Sequence, residues 1–598
     1  MPPYALPDRS LGALSDARRV LREQFGYPDF RPPQIRAVQA VLSGRDALVV
    51  LPTGGGKSLC YQVPALVRAG LTIVISPLIS LMKDQVETLR RKGVASAYIN
   101  STLSRSDVAD RLAEAREGRL KLLYLSPERA EAGRMVQQLS RIGVALFAVD
   151  EAHCISEWGH DFRPSYRRIA QVREQLGNPQ TVALTATATP SVREDIMRQL
   201  TLSDPAIVVA GFDRTNLTYH VVPARTPPDK DRLAIQWLHE ASGPAVVYAP
   251  TRKAVERLAS LLVRGRIKAT AYHAGLDATL RQRAQDAFME ERARVIVATS
   301  AFGMGIDKPD VRLVVHHAMP GAIESYYQEA GRAGRDGNPS TCVLLHHHTD
   351  RSTHDFFLDS ANPARRLVED AWSALRRAAD GTRFVAASAE GLARSMAGCP
   401  GERQVAAALR VLIGSGACTA APTLPGRVWI RLLASPARIG RELQGSRDHD
   451  REVLRSLWRA TRGGLATGVT VDLEGLPPGF GGTTGLVPVL ERLEAQQFVT
   501  WNRSGAGFHL AAAAVDPSWL PVDWSALERR RRTETARLDA MQHYAQTRHC
   551  RRAYILRYFG DPDAREHCGA CDRCLGPAGS VRALRTPRAL RSRSRPRS

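Results

Sequence analysis

Short apolar runs alternate with amphipathic, polar stretches from the start of the chain to about residue 350. They include ALVVL (47–51), LTIVIS (71–76), KLLYLS (121–126), VALFAVD (144–150), TVALTA (181–186), AVVYA (245–249), RVIVATS (294–300) and VRLVVHH (311–317). Runs this short, rich in Val and Ile and separated by helical patterns, predict buried parallel strands in βαβ units. So many strands over this length predict two α/β domains, with a break near 205–230, where Pro205, Gly211 and PARTPPDK interrupt the pattern. From about 351 the texture changes. Two segments, 390–433 and 486–512, repeat helical stretches followed by a strand–turn–strand, the outline of a winged helix and equally of other small α/β modules. Residues 524–560 predict two helices, and the Pro-, Ser- and Arg-rich tail 575–598 has no core-forming pattern.

Composition narrows this picture. The chain has 598 residues, 44% of them hydrophobic, which excludes a largely disordered protein. No apolar run approaches the ~18–20 residues of a bilayer span. The N-terminal MPPYALPDRS lacks the apolar core of a signal peptide, so a soluble cytoplasmic protein is expected. The net charge is +23, which fits a polyanionic partner. A GC-rich genome is the plainer account, because Arg occurs 75 times and Lys eight. The excess is +9 over 1–350, +7 over 351–578 and +7 over the last twenty residues.

Three motifs carry chemistry. LPTGGGKS (51–58) follows a strand run and precedes a helical pattern, as a phosphate-binding loop requires. Its backbone N–H groups would cradle phosphates around Thr53, Gly54, Gly55 and Gly56, with Lys57 on the β/γ-phosphates and the Ser58 hydroxyl on Mg²⁺. Leu51 stands where the strict pattern has Gly, and a glycine-rich turn without a ligand is the alternative. In a chain so poor in lysine, the choice of Lys57 is informative. DEAH (150–153) ends a strand run, where α/β sheets bind ligands: Asp150 would hold the metal, Glu151 would activate water and His153 would couple the site to its neighbours. QEAGRAGRDG (328–337) spaces Gln328, Arg332 and Arg335 at i, i+4 and i+7, one face of a helix that can present two guanidiniums to a γ-phosphate. Gly331 and Gly334 within it point to close backbone approach, each costing ~1 kcal/mol in a helix.

In this order the motifs resemble superfamily 2 helicases, and more closely the RecQ DNA helicase family, over 20–350. FGYPDFRPPQ (25–34) is similar to that family's adenine-recognition motif, which implies Tyr27, Arg31 and Gln34 on the base. TGGGKSLCYQVPAL (53–66), SPLISLMKDQV (76–86), YLSPER (124–129), ALTATAT (183–189), YHAGL (272–276) and ATSAFGMGIDKPDVR (298–312) match further motifs, and the last implies Gly305 and Asp307 at the nucleotide. FDRTNLTY (212–219) has Thr215 where the family usually has Pro. DEAHCISEWGHDFRP (150–164) resembles the metal-binding motif plus the family's aromatic-rich loop. Trp158, Phe162 and Arg163 offer flat faces on which a base can stack, beside the metal-binding carboxylates. Polar neighbours of Trp158 and Phe162 argue against a core role.

Cys550, Cys568, Cys571 and Cys574 form C-x17-C-x2-C-x2-C, which suits a closed tetrahedral Zn²⁺ site, with an Fe–S cluster as the alternative. The segment 550–574 also resembles the RecQ zinc module, and Arg551, Arg552 and Arg557 could contact phosphate there. The familiar RecQ layout puts the zinc module straight after the helicase core. Here about 180 residues intervene, so no strand-separating hairpin is assigned. Arg529–Arg532 would meet DNA or form a solvated face.

The expected layout is a first RecA-like domain (1–211), a second (212–350), an accessory region of two winged-helix-like modules (351–523), a helical hairpin plus zinc module (524–578) and a disordered basic tail (579–598). The resemblance implies an ATP-, Mg²⁺- and Zn²⁺-dependent 3′→5′ DNA helicase acting on single-stranded and branched or tailed duplex DNA in recombination and repair. A translocase remodelling protein–DNA complexes, an RNA helicase and a catalytically inactive DNA-binding protein are the alternatives. No membrane partner is expected, and no protein partner is indicated.

Overall fold

A computed structural model describes residues 8–52, 54–131, 133–156, 159, 163–303, 308–379, 384–385, 387–421, 427–443, 448–461, 463–472, 482–502, 507–511, 516–561 and 564–576. The chain divides into two compact units, 1–352 with 535–598, and 353–534.

The first unit holds two parallel sheets. One is built from β1 (Ala47–Val50), β2 (Leu71–Ile75), β3 (Ser96–Ile99), β4 (Leu122–Leu125), β5 (Val144–Val149), β6 (Thr181–Thr185) and β7 (Ala206–Val209), in the order β3-β4-β2-β5-β6-β1-β7. The other is built from β8 (Leu217–Pro223), β9 (Ala245–Tyr248), β10 (Ala269–Tyr272), β11 (Val295–Ala298), β12 (Leu313–His316) and β13 (Ser340–His346), in the order β10-β11-β9-β12-β13-β8. The change of sheet falls between β7 and β8. All eight runs named above lie in these strands. Their unbroken apolar character follows from burial on both faces. Leu48 and Val50 face one core and Ala47 and Val49 the other, the latter under helices Asp8–Val20 and Pro32–Leu42. The first of these cores continues without a break into the second sheet and on to Met541, Tyr544, Ile555 and Phe559 near the cysteine cluster.

Strand order positions the chemistry. β5, β6 and β1 are neighbours, so the loops leaving their carboxyl ends lie side by side: Asp150 and Glu151 after β5, Thr187 after β6 and the glycine-rich loop after β1. A parallel sheet collects its ligand-binding loops on this edge.

The second unit has two cores, one around Trp372 and one around Leu457 and Phe498. Here the pairing departs from expectation. Among the described residues, the strands of each strand–turn–strand segment do not pair with each other. β15 (Cys418–Ala421) runs antiparallel to β19 (Gly507–Leu510), which also pairs with β14 (Phe384–Val385). β16 (Arg427–Leu432) pairs with β17 (Val469–Asp472) and β18 (Val499–Asn502). Strands β16, β17 and β18 therefore lie in sequence between the two strands of one antiparallel pair, β15 and β19. The physical cause is division of each apolar run between cores: Cys418 and Leu510 belong to one, Val428, Ile430 and Val499 to the other. The four-arginine run lies on helix Trp524–Gln546 as an ion-paired face, with Arg530 on Glu534 and Arg532 on Glu528 at i, i+4, and Arg531 on Asp359. Among the described residues no helix is long and apolar enough to cross a membrane.

Candidate active site and zinc centre

The glycine-rich loop leaves β1 through Leu51, whose side chain is buried and whose N–H donates to the Thr185 carbonyl at 3.1 Å. A side chain at this atypical position therefore joins the core. The Leu51 carbonyl accepts from Lys57 Nζ at 3.4 Å, which holds the ammonium beside the loop. Gly56 is in the left-handed region, with φ 70°, and a Cβ there would collide with the Gln34 side-chain amide. That amide donates to the carbonyls of Gly55 at 3.0 Å and Gly56 at 3.4 Å, while Gln34 Oε1 accepts the Arg31 N–H at 2.8 Å. Arg31 donates to the Gly54 carbonyl at 3.1 Å. The residues expected at a base thus also pin the phosphate loop. Tyr27 is 53% exposed. Ser58 opens helix Leu59–Val67, its carbonyl accepting the Gln62 N–H at 2.9 Å.

Asp150 lies at the end of β5. Desolvation, then the Glu151 carboxylate, push its pKa up to about 7, against the pull of Lys57. A divalent cation there would favour the ionised form. Glu151 is strained, with φ 47° in a non-glycine residue, a state that clusters at functional sites. His153 is fully buried, with Nδ1 2.8 Å from Thr185 Oγ1 and 3.3 Å from Glu151 Oε2, which links the end of β5 to β6. Arg163 donates to the Pro77 carbonyl at 3.1 Å.

The arginine-bearing segment corrects the helical expectation. Helix Ile323–Ala330 carries half-buried Gln328 and stops before Gly331. Gly334 then has φ 55°, and a Cβ there would collide with the Asn216 amide. Arg214 donates to the carbonyls of Gly331, Ala333 and Gly334, and Asn216 donates to that of Gly334 at 2.8 Å. Arg332 and Arg335 therefore sit on a braced turn, not a helix face. This turn meets the glycine-rich loop: a Cβ on Gly54 would lie 3.8 Å from Arg335 Cγ. Arg31, Gly54 and Gly55 line one side of a cavity of about 220 Å³, and Arg214, Asn216, Gly334 and Arg335 the other. Arg332 Nε and one terminal nitrogen are buried without a hydrogen-bond partner among the described residues. A cleft lined by the arginines Arg31, Arg214 and Arg335 fits a nucleotide polyphosphate.

The four cysteine sulfurs lie within 4.8 Å of one another, with Cys568–Cys574 and Cys550–Cys571 pairs at 3.9 Å. A tetrahedral ion with Zn–S bonds of ~2.3 Å needs sulfurs ~3.8 Å apart. An iron–sulfur cube would hold them farther apart. N–H groups of Arg551 and Ala570 donate to Cys571 and Cys568 sulfurs at 3.4 Å, which favours thiolates. Arg551 and Arg552 are not phosphate contacts. Arg551 is fully buried, pairing with Asp572 at 3.0 Å, and Arg552 donates to the Leu217 carbonyl at 2.6 Å. Arg557 is exposed.

Residues 31–196 match the DEAD/DEAH box helicase family, 229–337 the helicase conserved C-terminal domain and 515–575 the RecQ zinc-binding family. The ATP-dependent DNA helicase RecQ of Bacillus subtilis (strain 168) is 47% identical over 363 residues, 60% of this chain and 60% of that protein. That of Pasteurella multocida (strain Pm70) is 43% identical over 351 residues, 58% of this chain and 55% of that protein. The "Probable ATP-dependent DNA helicase RecS" of Bacillus subtilis is 41% identical over 334 residues, 56% of this chain and 67% of that protein. The chain belongs to the RecQ helicase family. It spans 60% and 55% of the lengths of the two RecQ relatives.

Within this RecQ chain, Thr53, Gly305, Asp307, Trp158, Phe162 and the tail 579–598 lie outside the described residues. Sequence reasoning assigned no role to Arg214, Asn216 or Thr185. Their signal was present, as polar side chains in the segment joining two apolar sheets and at the end of a buried strand.

Proposed function

We propose that this RecQ-family chain is an ATP-dependent DNA helicase, translocating 3′→5′ on single-stranded DNA and unwinding tailed or branched duplexes in recombination and repair. The proposal assigns 1–211 and 212–350 to the two motor domains, 351–523 to an accessory region, 524–578 to the hairpin and zinc module and 579–598 to a basic arm. The supporting observation is Arg335 against Gly54 of the phosphate loop, which joins groups 281 residues apart in one arginine-lined cleft. In this cleft Tyr27, Arg31 and Gln34 take the base. Thr53 to Lys57 would cradle the phosphates, and Gly305 and Asp307, outside the described residues, would also bind the nucleotide. Glu151 orients and deprotonates water, and Gln328, Arg332 and Arg335 stabilise charge on the transferred phosphoryl group. Ser58 and Asp150 would hold Mg²⁺, which would neutralise phosphate charge when bound. The motor acts in the cytoplasm, on DNA rather than at a membrane.

The test is strand displacement on 3′-tailed, 5′-tailed and forked duplexes, with Lys57→Ala as control. Unwinding of 3′-tailed substrate by the parent and none by the variant is expected. ATP turnover with no unwinding from either tail would instead favour a translocase that remodels protein–DNA complexes, and stimulation by RNA above DNA would favour an RNA helicase. A second expectation concerns the aromatic-rich loop, where Trp158, Phe162 and Arg163 stack on bases. Trp158→Ala should preserve ATP binding and remove most DNA stimulation of ATP turnover, since one base–aromatic contact contributes about 1–3 kcal/mol. Intact DNA-stimulated turnover in Trp158→Ala would refute the sensor role.

A further inference from the structure

Resting on that reading, we propose that Arg537, on the helix leading into the zinc module, is a positioning residue that couples the metal-binding carboxylate segment to the arginine turn. Arg537 donates to the Gly159 carbonyl at 3.1 Å, and its Nε lies 3.7 Å from Glu324 Oε1. Each contact leads to one half of the nucleotide cleft.

On one side, Gly159 is locked onto the DEAH segment. Its N–H donates to the Ser156 carbonyl at 2.8 Å, and a Cβ there would collide with the His153 carbonyl. His153 touches Glu151 and Thr185, as described above. On the other side, Glu324 lies in the first turn of helix Ile323–Ala330, the helix that delivers Gln328 one turn later and then the Arg332–Arg335 turn. The Glu324 side chain is 4% exposed and that of Arg537 12%. Glu324 Oε1 also accepts the Tyr558 hydroxyl at 2.9 Å, and Oε2 is buried without a hydrogen-bond partner among the described residues. Arg537 is the charge that compensates this buried carboxylate, so the pair resists separation. The planar fork of Arg spans both acceptors, whereas a lysine ammonium is a single point charge. A displacement of Gly159 therefore pulls through one side chain on a helix that ends at the arginines.

The test uses the full chain and three variants, Arg537→Ala, Arg537→Lys and Glu324→Gln. ATP turnover is followed against single-stranded DNA concentration, with DNA affinity by fluorescence anisotropy and Tm measured alongside. Arg537→Ala should hold DNA-free turnover, KM for ATP and DNA affinity within about twofold while the DNA-stimulated kcat falls about tenfold, the scale of coupling residues that touch neither ligand. Arg537→Lys should keep the parental Tm, because Glu324 remains compensated, and still show the lowered stimulated kcat. Glu324→Gln should lower it as well. Where Arg537→Ala loses Tm, Arg537→Lys carries the test. Parental stimulation in Arg537→Lys would overturn the coupling role and leave only a counter-charge. Absence of DNA stimulation in the parent protein would instead defeat the helicase reading itself, and the two failures are distinct.

Discussion

Arg335→Ala is expected to lower kcat for ATP hydrolysis by about 10³-fold or more, the low end of what a guanidinium contributes at a transferring phosphoryl group. ATP binding should change little, because the loop that cradles the phosphates is built from the other sheet. Arg335 reaches that loop from a turn pinned by Arg214 through three carbonyls and by Asn216 through one. The backbone should keep its course when the side chain is removed, so the loss should fall on kcat and not on Tm. Steady-state kinetics with and without single-stranded DNA, together with nucleotide affinity and Tm, separate these effects. A variant that hydrolyses ATP at the parental rate would remove Arg335 from the catalytic set. One that loses kcat and Tm together would make it a structural brace.

This residue also shows what a sequence conveys and what it withholds. Strand runs with unbroken apolar character were legible because a buried parallel strand has no polar face to disguise it. Edge strands were not. β10 is half-buried along its length and β7 has one buried residue in four, so neither rises above the surrounding pattern. The phosphate loop and the carboxylate pair were legible because each is local: strand, turn, helix, with the chemistry inside eight residues. The regular i, i+4, i+7 spacing of Gln328, Arg332 and Arg335 was misleading, because periodicity carries no information about Arg214 and Asn216, more than 100 residues earlier, which hold the turn open. The same limit governed the second unit. Local pattern predicted local hairpins, while the long-range partition of side chains between two cores decided the pairing. The charge of Arg551 and Arg552 is compatible with phosphate contact, and only burial reveals their protein partners.

Removal of the metal, by chelation or by Cys571→Ser, should destabilise the second parallel sheet as well as the zinc module. Cys571 is buried, and its neighbour Asp572 accepts from the Val221 N–H at 3.2 Å on β8, the edge strand of that sheet. Asp572 also compensates Arg551, a guanidinium with no solvent exposure. Release of the cysteine loop would withdraw the carboxylate from both. A buried charge left without its partner costs about 3–5 kcal/mol. The edge strand loses one capped donor, and an uncovered strand edge invites association. The contacts above it go too: Phe559 stacks on Phe212 at 4.8 Å between ring centres, and the Tyr544 hydroxyl donates to that of Tyr326 at 3.1 Å, on the helix that leads to the arginine turn. At roughly 2–4 °C per kcal/mol for large domains, the main melting transition should fall by about 10 °C, with aggregation on heating. Calorimetry before and after chelation, with zinc content measured on the same samples, tests this. One zinc per chain and a lowered main transition are expected. A metal-free protein whose only change is proteolysis near 560–576 would show that the zinc module folds by itself and supports nothing beyond its own loop.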